Sequence, residues 1–252
     1  MGKLKSRIFL YIERLLARYT DKIVCISEAE RVSALKHKIA DNEKLEVILN
    51  GIDFTAIEKA IPIQRKELNI PENAFVVGMV GRISEQKAPD IFIKATKYIQ
   101  EKIPNSYFII VGDGVQREEI ERYAQENNIK LFITGWTDNP YSFLKVFDIA
   151  MLLSRWEGFG LAIVEYMAAK KNFVATKIDA IPTIVRDGID GILVDVDSPL
   201  QAANAVLSLY SNKEIADKMK SEAWEYANKR YNIQRVANQH IKLFQSITNQ
   251  SI

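Results

Sequence analysis

The sequence predicts an α/β fold, a doubly wound parallel sheet with helices on both faces, and three observations predict it. From Ala74 to Val194, short apolar runs alternate with amphipathic stretches, the signature of repeated β-α units. One unit is nearly explicit. The apolar run Ile149–Leu153 is broken by Ser154-Arg155, two glycines bracket Phe159, and helix formers run from Leu161 to Ala169, so a strand, a glycine turn and a helix start follow one another. With 252 residues, 48% of them hydrophobic and 26% charged, the chain has a globular composition and the length for one good core and part of a second.

Taken in order, residues 3–19 form an amphipathic helix: Leu4, Ile8, Ile12, Leu15 and Tyr19 make one stripe, with Arg7, Arg14 and Arg18 off it. A core-facing helix with a solvated basic face is the expected role, and a helix lying on an anionic membrane surface is the alternative. Lys22–Ile26 is a short strand. Ser27, followed three residues later by Glu30, is a capping box opening a helix to about Lys38. Leu45–Leu49 is a second strand, ended by the turn pair Asn50-Gly51. These first fifty residues are too few for an independent domain and read as the tail end of something larger. The strands of the main sheet are expected at Phe75–Val80, Tyr107–Val111, Lys130–Ile133, Ile149–Leu153, Asn172–Ala175 and Gly191–Val194. The helices between them are expected at Ala88–Glu101, Gln116–Glu126, Tyr141–Val146 and Leu161–Lys170, with a short turn near Ile181–Val185. Three helices, Pro199–Ser211, Lys213–Lys229 and Ile233–Ile247, close the chain.

Composition narrows the chemistry. A single cysteine, Cys25, lies in the apolar run Ile23-Val24-Cys25-Ile26; it excludes an internal disulfide framework and reads as a small core residue. The two histidines, His37 and His240, are far apart with no Cys or His nearby, so no metal-ligand spacing is visible. No apolar run reaches membrane-spanning length and no signal peptide precedes the first helix, so a soluble cytoplasmic protein is expected. Residues 1–40 carry nine Lys and Arg against four Asp and Glu, within a chain of net charge +2. That local basic surplus is too small to point to nucleic acid.

Ligands of open parallel sheets bind beyond the carboxyl ends of the strands, so the residues just after each strand carry the functional information. After the first main strand comes Gly81-Arg82-Ile83-Ser84-Glu85-Gln86-Lys87. Arg82 as a planar fork and Lys87 as a point charge could both reach a diphosphate. After the second comes Gly112-Asp113-Gly114, where the glycines permit close approach of a ligand to the backbone and Asp113 can shape the turn. It is not a dinucleotide fingerprint, because Arg117 stands where the third glycine would be. Thr134-Gly135-Trp136 follows the third strand; its backbone or ring could face a base, and Trp136 could equally be core. After the fourth, Glu157-Gly158-Phe159-Gly160-Leu161 forms a helix N-terminus of the kind that receives anions. Glu165 then sits among Val164, Met167 and Ala168, where a carboxylate needs hydrogen-bond donors, and ligand hydroxyls are candidates. Asp195-Val196-Asp197 has a metal-binding pattern but precedes Ser198-Pro199 and reads as turn and cap chemistry.

With these motifs in order, the chain from about residue 20 to its end resembles the retaining glycosyltransferases of the GT-B fold, family 4. The resemblance is carried by Asp21–Glu28, Asn50-Gly51-Ile52-Asp53, Gly78–Lys87, Gly112-Asp113-Gly114, Thr134-Gly135-Trp136 and the paired glutamates Glu157 and Glu165 with seven residues between them. It implies a Rossmann-like domain at 51–232 that binds a nucleotide-sugar donor, flanked by a remnant of an N-terminal domain at 1–50 and a crossing helix at 233–252. Arg82 and Lys87 would neutralise the diphosphate in place of a metal, so no metal or other cofactor is expected. Backbone N–H groups at Phe159, Gly160 and Leu161 would add to that cradle. Gly81, Gly112, Gly114, Gly135 and Trp136 would line the donor site, and Glu165 would accept from the ribose, with uridine the expected base. Glu157 would contact the donor sugar and stabilise charge at the anomeric carbon.

The sequence departs from the family where a Gly-Gly-x-Pro-Glu segment is usual: here it reads Asp179-Ala180-Ile181-Pro182-Thr183. Lys170 and Asn172 stand in place of a Gly and a Pro. The larger departure is length, since the family enzyme has two Rossmann-like domains with the active site between them. A gene fragment, a subunit completed by a partner chain carrying the N-terminal domain, and a deliberately shortened polypeptide all fit. The implied activity is sugar transfer to a glycan or lipid-linked acceptor in surface polysaccharide assembly, with peripheral contact at the inner face of the membrane. The alternative is a nucleotide-sugar-binding subunit inactive without its partner. A sugar-nucleotide epimerase of the same fold is disfavoured by the paired glutamates.

Overall fold

The computed structural model describes residues 3–248, with side chains from Arg7 onward, and the chain divides into two compact units, Met1–Gly51 with Tyr231–Ile252 and Ile52–Arg230. In the first, α1 (Lys3–Ala17) is followed by β1 (Ile23–Cys25), α2 (Glu28–Lys36) and β2 (Leu45–Val47). The two strands pair in parallel, Ile23 opposite Leu45. Ser27 caps α2 by accepting from the Glu30 N–H at 3.1 Å, and the Glu30 carboxylate accepts from the Ile26 N–H at 2.7 Å. The capping box is thus reciprocal but reaches back one residue before the N-cap. Lys44 Nζ donates to the carbonyls of Ala17 and Thr20 at 3.0 and 2.9 Å, a cation placed where a helix leaves carbonyls unpaired.

The core-facing role expected of α1 is not met. Ile8, Ile12, Leu15 and Tyr19 are exposed, as are Phe9 and Leu16, and Leu4 lies outside the described side chains. An amphipathic stripe is buried only where a neighbouring layer covers it, and a two-stranded sheet offers too little apolar surface to do so.

The second unit contains α3 (Phe54–Lys59), β3 (Phe75–Val80), α4 (Pro89–Lys102), β4 (Ser106–Val111), α5 (Arg117–Glu126), β5 (Leu131–Ile133), α6 (Pro140–Leu144), β6 (Ile149–Leu152), α7 (Leu161–Ala168), β7 (Asn172–Thr176), α8 (Ile181–Ile184), β8 (Ile192–Val194), α9 (Pro199–Ser211) and α10 (Lys213–Tyr231). Helix α11 (Ile233–Thr248) returns to the first unit. Every predicted strand and helix is present, with ends shifted by a residue or two. Helix α3 was not anticipated; its signal is Asp53, whose carboxylate caps it by accepting from the N–H groups of Thr55 and Ala56 at 2.8 and 3.2 Å.

The six strands lie in the order β5-β4-β3-β6-β7-β8, and all neighbours are parallel. The chain therefore winds outward from β3 to β5, returns to place β6 beside β3, and winds outward again to β8. Val77 opposite Ile149 and Gly78 opposite Ala150 fix that central pair. Alternate residues of the inner strands, Val77 and Met79, Phe108 and Ile110, Ile149 and Met151, share one buried cluster with α4 and α9. The winding reverses between β3 and β6, so the loops after these two strands lie where open parallel sheets bind their ligands. Among the described residues, no helix is long and apolar enough to cross a membrane.

Candidate functional site

Strand β3 is followed by Gly81 and a loop in which Glu85–Lys87 form a 3₁₀ turn, with Ala88 the N-cap of α4. Strand β6 ends in Leu153-Ser154-Arg155 and the glycine turn that starts α7. These are the two loops of the reversal, and two hydrogen bonds join them: the Arg155 N–H donates to the Gln86 carbonyl at 2.8 Å, and the Gln86 side-chain Nε2 donates to the Trp156 carbonyl at 3.1 Å. Tyr166, fully buried on α7, anchors the helix below them. Its hydroxyl accepts from the Val80 N–H at 3.0 Å, and burial pushes its pKa up.

At the centre, Lys87 Nζ forms an ion pair with Glu157 Oε1. Ser154 Oγ donates to the same oxygen at 2.7 Å, and the Glu157 N–H donates to Asp179 Oδ2 at 2.9 Å. Glu157 is only 8% exposed, so its carboxylate is satisfied by Lys87 and Ser154 in place of water. Arg82 lies on the same loop as Lys87 but is exposed, its Nη2 donating to Gln86 Oε1 at 3.2 Å.

Glu165 lies one turn into α7. Burial raises its pKa above the usual value, an effect opposed by the Tyr141 hydroxyl and by the charge of Lys87. The donor to its carboxylate is a protein group, Tyr141 Oη at 3.3 Å, where sequence reasoning looked to ligand hydroxyls. The same burial and the adjacent carboxylate push Tyr141 up to about 12.

The glycines after β4 serve a different neighbour from the one expected. A Cβ on Gly112, whose φ is +146°, would stand 2.1 Å from the Gly81 carbonyl oxygen, and one on Gly114 would stand 2.3 Å from that of Ile83. The close approach that demands these glycines is made by the β3 loop, which the Ile83 N–H to Asp113 carbonyl bond at 2.9 Å also ties in place. Gly135 bridges to Gly112, and the Gly112 N–H donates to Thr134 Oγ1 at 3.2 Å. Trp136 is 77% exposed, which removes the reading of it as a core residue. Phe159 is buried, Gly160 caps α7 with a φ of +95°, and Leu161 begins that helix with its side chain exposed. The second half of Asp195-Val196-Asp197 pairs with Arg155 at 2.8 Å, and Asp195 Oδ2 accepts from Gln201 at 3.0 Å. Among the described residues no group of three or more His, Cys, Asp or Glu side chains is placed to hold a metal ion.

The structure thus brings Lys87 and Glu157 together across 70 residues and sets Glu165 on the helix that follows. Sequence reasoning missed Ser154, Tyr141 and Asp179 as their partners. Asp179 had a signal, because it stands in the segment that departs from the family pattern.

A family model described as glycosyl transferases group 1 matches residues 60–226. The UDP-Gal:alpha-D-GlcNAc-diphosphoundecaprenol alpha-1,3-galactosyltransferase of Escherichia coli is 31% identical over 214 residues, which cover 82% of this chain and 55% of that protein. The lipopolysaccharide core biosynthesis glycosyltransferase LpsD of Rhizobium meliloti is 28% identical over 243 residues, 95% of this chain and 68% of that one. Among solved structures, the Anabaena protein HepE in complex with UDP and glucose superposes with a TM-score of 0.83 at 23% identity, over 94% of this chain and 66% of the other. That likeness is one of fold. The chain spans little more than half the length of its E. coli relative.

Proposed function

We propose that this chain, which belongs to the group 1 glycosyl transferases, is the donor-binding part of a retaining, family 4 enzyme. Its donor is a nucleoside-diphosphate sugar, with uridine as the base, and its acceptor a glycan or lipid-linked sugar of surface polysaccharide. The parallel α/β sheet is that of the GT-B glycosyltransferases. The observation that carries the reading is the buried Lys87–Glu157 pair at the sheet's reversal. An ammonium has three donors, so Lys87 can hold Glu157 and a phosphate oxygen together. Arg82 supplies a second cation from the same loop, and the leading N–H groups of α7 at Phe159, Gly160 and Leu161 complete a cradle that takes the place of a metal. Glu157 then stabilises positive charge at the anomeric carbon as the nucleoside diphosphate leaves, and the acceptor hydroxyl attacks from the same face. Trp136 and the loops at Gly81, Gly112, Gly114 and Gly135 border the base. The work is cytoplasmic, at the inner face of the membrane where the acceptor is lipid-linked.

Calorimetric titration of UDP and GDP tests this. One nucleotide binds, and Arg82→Ala and Glu165→Ala each weaken it by about tenfold or more, as expected for charge-assisted hydrogen bonds. A folded chain that binds neither nucleotide overturns the reading.

Affinity should also depend on pH. Ribose hydroxyls donate to the ionised form of Glu165, whereas burial makes the folded chain hold that proton more tightly than the unfolded chain does. Glu165 therefore costs stability as pH rises through its raised pKa, and a bound ribose offsets the cost. Nucleotide affinity should rise with pH through a pKa above 4.5 and level off beyond it, and Glu165→Gln should flatten the profile.

The exposed stripe of α1, with Ile8, Phe9, Ile12 and Leu15 in the open, favours a second reading of the same donor site. In it, residues 1–50 are a remnant of an N-terminal domain, α11 (Ile233–Thr248) is the helix that crosses back to it, and a partner chain supplies the rest and the acceptor site. Steady release of nucleoside diphosphate from a nucleotide sugar by the single chain would exclude this reading.

A further inference from the structure

The donor reading leaves Arg155 without a part, although it is the most heavily engaged side chain at the reversal. Its guanidinium makes three bonds to two segments. Nε donates to Asp197 Oδ1 at 2.8 Å, Nη1 to the Glu85 carbonyl at 3.0 Å, and Nη2 to Asp90 Oδ2 at 2.7 Å. Its own N–H holds the Gln86 carbonyl. Arg155 thus grips both ends of the 85–90 segment, the 3₁₀ turn that carries Lys87 and the first turn of α4, from the loop that carries Glu157. The backbone around it is not relaxed: Ala88 and Asp197 both sit in the left-handed region, with φ of 48° and 54°, a conformation that residues with a Cβ keep only where their surroundings enforce it. Asp90 Oδ1 is buried with no hydrogen-bond partner among the described residues. Arg155 therefore provides the charge that offsets this carboxylate.

We infer that Arg155 is a positioning residue for the donor. Its fork locks the 85–90 segment against the 154–157 loop and so sets Lys87 Nζ where it can serve Glu157 and the donor diphosphate at once. Asp197, the second acid of a motif with a metal-binding pattern, is the outer anchor of that fork. The inference rests on the donor reading above, because it assigns Arg155 an effect on nucleotide affinity without contact to nucleotide. A lysine cannot reproduce three divergent bonds from one planar group.

The experiment is calorimetric affinity for UDP and GDP on the wild-type chain, Arg155→Lys, Arg155→Ala and Asp197→Asn. A double-substitution cycle places Arg155→Ala in a Lys87→Met, Glu157→Gln background. Arg155→Ala and Arg155→Lys are each expected to weaken binding about tenfold, and Asp197→Asn about threefold, since Asp197 is the more exposed anchor. In the background lacking Lys87, Arg155→Ala should change affinity by less than about twofold, because its action passes through that ammonium. A purely structural role would instead give the same loss in both backgrounds, and that result overturns the proposal. Wild-type affinity in folded Arg155→Lys and Asp197→Asn also overturns it. If the Arg155 variants fail to fold, Asp197→Asn decides. A folded wild-type chain that binds neither nucleotide removes the donor reading and this proposal with it, whereas wild-type binding with indifferent Arg155 variants removes the proposal alone.

Discussion

Lys87→Ala is expected to lower folding stability by about 3 kcal/mol, the scale for removing one partner of a buried ion pair. The side chains of Lys87 and Glu157 are 16% and 7% exposed, so the carboxylate left behind cannot recover water. Ser154 Oγ, at 2.7 Å, is then the side-chain donor that remains to it, and a hydroxyl does not offset a full charge. For a domain of this size the thermal midpoint should fall by about 6–12 °C. Lys87→Met combined with Glu157→Gln leaves no buried charge and should recover most of the loss, which separates the electrostatic cause from lost packing. Unchanged stability in Lys87→Ala would mean that the two side chains do not pair in solution. The same ammonium is the group proposed to meet the diphosphate, so nucleotide affinity should fall, without being abolished, along with stability.

Gly112→Ala is expected to be as damaging, by a different route. The new Cβ would stand 2.1 Å from a backbone oxygen, that of Gly81, at a φ of +146°. A side chain could turn aside; a carbonyl in a hydrogen-bonded loop cannot. Overpacking and backbone strain together should cost about 3 kcal/mol or more and displace the loop that carries Arg82. Gly158→Ala is the matched control, because a Cβ there meets nothing within 4 Å. Chemical denaturation should place it within about 0.5 kcal/mol of the wild-type chain. Equal losses at the two positions would show that the two loops do not interlock in solution.

Much of the fold was legible because local signals and the fold agree. Phe75–Val80 and Ile149–Leu152 are unbroken apolar runs, as central parallel strands are, and Ser27 with Glu30 marks a helix start in three residues. What could not be read is which strands lie side by side. Nothing in Phe75–Val80 says that its neighbour is Ile149–Leu152, where Val77 pairs with Ile149, yet that adjacency sets the loops after the two strands side by side. The candidate site divides in the same way. Glu157, Arg82 and Lys87 were visible as charges at strand ends, but the pairing of Lys87 with Glu157 depends on sheet order. Tyr141 looked like part of a helix pattern, and its role beside Glu165 is set by tertiary packing alone. Arg155 looked like the break that ends a strand. The stripe on α1 shows the limit of periodicity: it reports that a helix has an apolar face, not what covers it.

The glycine interlock has a consequence for how this molecule can vary. Loops from two different β-α units share one space, with the carbonyls of Gly81 and Ile83 filling the positions where Gly112 and Gly114 would carry side chains. An insertion in either loop must push the other, so the two can change length only as a pair. Freedom to diverge lies at the outward tip of the second loop, where Val115 is 94% exposed, and at Trp136 after β5, which is 77% exposed. A library intended to change the preferred nucleotide should therefore hold 81, 112 and 114 constant and randomise 113, 115 and 136.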